Sequence, residues 1–261
     1  MNLRHQTKIN SCLAVFIALV AAHSSFAQAP PTNPPQLVLV ELFTSEGCSD
    51  CPPADALLAR LDATQFVPGA HAIVLSEHVT YWDHLGWRDP FSLDLVTTRQ
   101  QDYARAFGLT DIYTPQMIVD GRTQLIGSDS SALTHAVVHA MTVPKLDLAI
   151  EKTQWAHGDV HFAVRIPAGT KGDLIAVLAA NETHAEVTRG ENAGRTLHHV
   201  AVARVFKDFG VVFADGRPIQ LSAPFSNEEK QTGPMRLIVF LVDRGNGRVL
   251  AVAEQDLKQP G

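Results

Sequence analysis

Residues 37–43 are apolar at every position but Glu41, the pattern of a short strand covered on both faces. After Pro52 and Pro53, which suit a first helical turn, Leu57, Leu58 and Leu61 share one helical face. Residues 72–75 repeat the buried-strand pattern. Asp89 and Pro90 then predict the cap and first position of a helix in which Leu95, Val96, Tyr103 and Phe107 keep helical spacing until Gly108. Residues 116–119 and 123–126 read as a hairpin around Asp120-Gly121-Arg122, and residues 131–141 as a last helix.

Beyond Pro144 the period shortens. Strand-like runs at 146–151, 160–166, 174–180, 197–206, 218–221, 236–243 and 249–254 are separated by Gly- and Asn-bearing turns, with 244–248 as the turn of a final hairpin. Such spacing predicts an antiparallel sheet or sandwich. The expected fold class is therefore an α/β domain, a mixed central sheet flanked by helices, followed by a β-rich C-terminal domain. Residues 37–143 and 144–261 are the two expected domains.

Ahead of them, Arg4 and Lys8 precede a short apolar stretch from Cys12 to Ala22, and Ser25-Phe26-Ala27 offers a small-x-small cleavage pattern. Residues 1–27 read as a secretory signal and 28–36, rich in proline, as an extended tether. A periplasmic or secreted protein is expected, with no membrane span after cleavage. The signal holds two bases and no acids, so 19 of the 21 Lys and Arg remain against 27 Asp and Glu, a formal charge of −8. Nothing in that balance favours nucleic acid.

Removing the signal also removes Cys12, leaving Cys48-Ser49-Asp50-Cys51 between the first strand and the first helix. Closing so small a loop restrains the unfolded chain little, which weakens a purely structural explanation. A thiolate at a helix N-terminus gains from amide donors and the macrodipole. Cys48 is thus the expected nucleophile and Cys51, a turn further in, the resolving thiol. Two rivals use the same residues: an inert disulfide in a binding module, and a Cu(I) metallochaperone in which His78 or His84 joins Cys48 and Cys51. A second Cys-x-x-Cys is missing from the sequence, which disfavours structural zinc.

Phe43-Thr44-Ser45-Glu46-Gly47-Cys48-Ser49-Asp50-Cys51-Pro52 together with Tyr113-Thr114-Pro115-Gln116 resembles the thioredoxin superfamily. That resemblance implies a cis Pro115 facing the disulfide, Thr114 presenting its backbone to an extended peptide, and a buried carboxylate near the resolving thiol. Glu41 is the candidate for that proton relay, although its offset from Cys48 is one residue longer than in thioredoxin, and a structural carboxylate fits it equally. The same blocks with Tyr81-Trp82-Asp83-His84-Leu85-Gly86-Trp87 and Gly190-Glu191-Asn192-Ala193-Gly194-Arg195 resemble the secreted bacterial domain-of-unknown-function 1223 family. It implies a thioredoxin-like part with a β-rich tail and supplies no activity.

The segment from His78 to Trp87 follows a strand's carboxyl end, where α/β folds place their sites. Trp82 and His78 are the expected substrate contacts there, against packing of the inserted segment. His135 and His139 share a helical face but lack the glutamate of a zinc-protease helix, and read as surface residues. Residues 190–196 miss the spacing and lysine of a phosphate loop. Alternation sends His198 and His199 to opposite faces. The expected activity is exported thiol–disulfide exchange with protein thiols, protein disulfides or an exported redox partner, needing no cofactor beyond the disulfide. Asp50 and Glu46 place negative charge beside Cys48, so a weaker oxidant than the strongest family members is expected.

Overall fold

Local signals place nearly every element where it is expected. The computed structural model describes residues 34–225 and 233–257; the signal at 1–27 and residues 28–33 of the tether lie outside the described residues. β1 (Gln36–Thr44) leads to α1 (Pro52–Thr64), β2 (Ala70–His78) and, through a 3-10 turn at Thr80–Trp82, α2 (Asp94–Phe107). The hairpin of β3 (Gln116–Val119) and β4 (Thr123–Ile126) precedes α3 (Ser130–Met141), whose cap is Asp129 accepting the Ala132 N–H at 2.9 Å. Then come β5 (Ala149–Ala156), β6 (Asp159–Arg165), β7 (Lys171–Val187), β8 (Arg195–Phe213), β9 (Ile219–Pro224), β10 (Met235–Val242) and β11 (Val249–Leu257).

The way these elements assemble corrects the expected fold class. Of the described residues 46% are in strands and 19% in helices, and eight strands form one mixed sheet in the order β11-β10-β7-β8-β2-β1-β3-β4. A thioredoxin-like domain with a helix-flanked sheet, followed by a β-rich domain with its own sheet, is not what forms. The physical reason is one junction. β8 lies parallel to β2 with Val202 opposite Ser76, so the sheet edge that local patterns leave open continues into β7, β10 and β11. β5, β6 and β9 make a separate three-stranded sheet. Pairing between strands some 125 positions apart leaves no periodic trace in either segment.

Alternation in β1 and β2 divides the core. Val38, Val40, Leu42, Ala72 and Val74 pack with α1 and α3, while Leu39, Phe43, Ile73 and Leu75 pack with Val96 and Tyr103 of α2. The three-stranded sheet contributes Val160, Phe162 and Val164 to a third cluster against Leu174, Ala176 and Leu178 of β7 and Leu237, Val239 and Leu241 of β10. α2 starts at Asp94 with Leu93 as its cap position, so Asp89 does not cap it and is free for another role.

The β3–β4 turn docks on the β10–β11 turn. The Val249 N–H donates to the Asp120 carbonyl at 3.0 Å, and Asp120 Oδ1 accepts the Leu39 N–H at 2.9 Å. Gly121 sits at φ +62, and a Cβ there would stand 2.0 Å from the Gly247 carbonyl oxygen. Gly121→Ala is therefore expected to destabilise the protein by more than about 1 kcal/mol, read from urea unfolding midpoints. An unchanged midpoint would mean that the two turns do not meet this closely.

Candidate functional site

Cys51 is the N-cap of α1, and its carbonyl accepts the N–H groups of Ala54 and Asp55 at 2.8 and 3.1 Å. It is joined to Cys48 in a disulfide with the Cα atoms 5.4 Å apart. The positive end of the α1 dipole therefore falls on the pair. Burial is nearly complete, with Cys48 1% and Cys51 0% exposed, so the sulfurs are shut away from a protein-sized reactant.

The turn between β7 and β8 provides the cover. Asn192 donates through Nδ2 to the carbonyls of Glu46 and Cys48 at 2.8 and 2.9 Å, and Arg195 Nη1 fixes its Oδ1 at 2.9 Å. Glu191 Oε2 accepts the Ser49 N–H at 3.1 Å. Gly190, at φ +77, lets this turn approach Trp87: a Cβ there would lie 3.2 Å from the Trp87 Cβ. The segment 190–196, rejected above as a phosphate loop, thus carries a lid on the cysteine loop, formed by Glu191 and Asn192.

Trp82 also closes on the cysteine loop. It packs on Gly47, where a Cβ would meet the Trp82 Cβ at 3.1 Å, and its indole N–H donates to Thr114 Oγ1 at 2.8 Å. Thr114–Pro115 is a cis peptide. A Cβ on Gly127 would stand 3.0 Å from both Ala54 and Pro115, which places the cis-proline against the first turn of α1. Cys48, Cys51, Trp82, Thr114 and Pro115 are accordingly brought to one place.

Glu41 is held elsewhere, and His78 is turned into the interior behind the cysteine loop. Glu41 faces α2, where Arg99 Nε donates to Oε1 and the Tyr103 hydroxyl to Oε2, both at 2.6 Å. Glu77 competes for the same guanidinium at 3.8 Å. Burial and the Glu41 charge push Glu77 well above the usual carboxylate range despite Arg99. His78 is 1% exposed, and its Nδ1 pairs with Asp89 Oδ2 at 2.7 Å. His84, by contrast, is exposed.

Asp89, read from sequence as a cap, is instead a buried anion. Its Oδ2 also accepts the Glu46 N–H at 2.8 Å, and its Oδ1 the Phe91 N–H at 2.9 Å. Burial opposes ionisation, but His78 and these two backbone donors hold it below the usual carboxylate range. Glu46 receives the Trp87 indole N–H at 2.7 Å, and Asp55 the Thr44 hydroxyl at 2.9 Å. Between these last two acids stands His199, with Nε2 3.6 Å from Glu46 and Nδ1 3.6 Å from Asp55. Those are ion-pair distances, longer than hydrogen bonds. Burial alone would depress the imidazolium; Asp55 and Glu46 outweigh it and push His199 up to about 10.

Asp55, Asn192 and His199 are the functional candidates that sequence reasoning missed; Asp89 was read only as a helix cap and Glu46 only as a charge beside Cys48. An acid in the first turn after Cys-x-x-Cys was a visible signal for Asp55. Asn192 and His199 arrive from β7–β8, about 140 to 150 positions away, and carry no local signal. Among the described residues no group of three His, Cys, Asp or Glu side chains is placed to hold a metal ion, and no helix is long and apolar enough to cross a membrane.

The family model described as "Protein of unknown function (DUF1223)" matches residues 39–242. The chain is also similar to a protein of Agrobacterium tumefaciens solved by X-ray crystallography, at 27% identity over 84% of this chain and 93% of that one, with a TM-score of 0.61. No curated protein matches.

His199 makes stability depend on pH. Its folded value of about 10 stands above the ordinary 6.5, so the stabilisation is full below pH 6.5 and is lost as pH rises through about 10. Relative to His199→Gln, the wild type should lose on the order of 1 kcal/mol per pH unit within that window. Urea unfolding at a series of pH values measures this, and parallel curves for the two proteins would refute the placement of charge.

Proposed function

The chain belongs to the DUF1223 family of proteins of unknown function, and within it we propose that this protein performs thiol–disulfide exchange outside the cytoplasm through Cys48 and Cys51. The observation that carries the reading is the placement of a Cys-x-x-Cys disulfide at the N-terminus of α1, against a cis Thr114–Pro115 and beneath a lid. A disulfide serving only to close a four-residue loop needs none of these neighbours.

Cys48 precedes the helix and is attacked first by an incoming thiolate; Cys51, held by the helix cap, leaves as a thiolate, and the donor's second thiolate displaces Cys48, while in the reverse direction Cys51 resolves the mixed disulfide. Thr114 and Pro115 shape the peptide groove with Trp82. His78 supports the acid network through Asp89 instead of lining that groove. Glu41 anchors Arg99 on the α2 face, which favours the structural role over the relay. An exported protein dithiol or disulfide is the partner, and it reaches the sulfurs once Asn192 and Glu191 release the cysteine loop. The −8 charge of the signal-free chain gives no reason to invoke nucleic acid.

Near-complete burial of both sulfurs favours a second reading, a binding module with a structural disulfide. The Cu(I) alternative draws less support, since among the described residues no three His, Cys, Asp or Glu side chains are placed together to hold a metal ion. Insulin reduction by dithiothreitol separates the first two. The wild type is expected to accelerate it, Cys48→Ser to abolish the acceleration, and Asn192→Ala, which loosens the lid, to raise it severalfold. No acceleration by wild type or Asn192→Ala would favour the binding module.

A further inference from the structure

Around the acids that flank the cysteine pair lies a group of buried side chains with more polar atoms than partners. His78 Nε2, both ring nitrogens of His199, Glu46 Oε1 and Ser76 Oγ have no hydrogen bond among the described residues. The two imidazole rings meet edge to face with centroids 4.7 Å apart. The acids facing His199 flank the cysteines in sequence: Glu46 lies two residues before Cys48, and Asp55 four after Cys51, on the same face of α1. Asp89 adds a third carboxylate behind His78. Arg204 lies over the Phe91 ring, which meets both histidines.

The His199 side chain is 1% exposed, and alternation along β8 turns it away from the cleft of about 450 Å³ that Glu182, His184 and His198 line on the other face of the sheet. The buried group thus meets the cysteine loop while its imidazole nitrogens stay closed to water.

We infer that His199, acting through Asp55 and Glu46, is the proton-exchange station of the cysteine pair. This rests on the exchange reading above. A donor dithiol loses one proton to solvent, and its thiolate attacks Cys48 Sγ; a new S–S bond forms as the Cys48–Cys51 bond breaks, and Cys51 departs as a thiolate. A buried thiolate beside carboxylates is a strong proton acceptor, and it takes its proton from the His199 group, which regains one from solvent before the next turnover. The donor's second thiol then loses its proton and its thiolate displaces Cys48, which is protonated in turn. The donor is oxidised to a cyclic disulfide, and the protein gains two electrons and two protons. His199 is a positioning residue here; it does not touch the sulfurs.

The test is the rate at which dithiothreitol reduces the folded full-length protein from pH 6 to 9, followed by thiol alkylation and divided by the concentration of dithiothreitol thiolate. The wild-type profile is expected to be flat, because His199 stays loaded through this range. His199→Gln should be at least tenfold slower at pH 8 and should fall steadily as pH rises, since its proton must come from solvent. Should His199→Gln not fold, Asp55→Asn carries the same expectation. A variant profile that coincides with wild type, or lies below it by one factor at every pH, overturns the inference alone. A wild-type disulfide that dithiothreitol leaves intact overturns the exchange reading, and this inference with it.

Discussion

The parallel contact of β8 with β2, Val202 opposite Ser76, is what the rest of the molecule depends on. It turns what would be two sheets into one and fixes β8 beside the strand that ends at His78. His199 enters three residues before Val202, so it lands among the acids around the cysteine loop. The β7–β8 turn then necessarily overhangs that loop, and Asn192 and Glu191 become its cover. Fold and site are consequences of one pairing.

That pairing also supplies a charge the N-terminal elements lack. Glu46, Asp55 and Asp89 are buried together, and isolated buried carboxylates are strongly unfavourable. His199 answers two of them and His78 the third. A second buried group, Glu41, Glu77, Arg99 and Tyr103, sits on the α2 face of the same strands. Removing one partner from such a group is disruptive, on the order of 3 to 5 kcal/mol, because a charge is left unanswered. Glu46 therefore acts on Cys48 less than its sequence position implies, its negative charge being shared with His199 and Trp87.

What was legible in sequence is what local physics decides. Apolar runs and helical spacing place β1, α1, β3, β4 and α3 almost to the residue, and strict alternation exposes His198 while burying His199. The cysteine pair and the Thr-Pro dipeptide are visible because their chemistry is carried by adjacent residues. Asp89 was misread because an acid before proline signals a cap; a buried turn with His78 competes for the same side chain and wins. Glu41 breaks an apolar strand, which marks it as special without saying which face it serves. The fold class failed where a non-local strand pairing decides, and with it went Asn192 and His199.

The reduction potential of the Cys48–Cys51 disulfide, measured in thiol redox buffers at pH 7, tests the central claim most directly. A redox-active pair at a helix N-terminus with acidic neighbours should fall between about −120 mV, where the strongest oxidants lie, and about −300 mV. A value below about −300 mV, where structural disulfides lie, would show that the lid and the charges around these cysteines serve only to hold a staple in place.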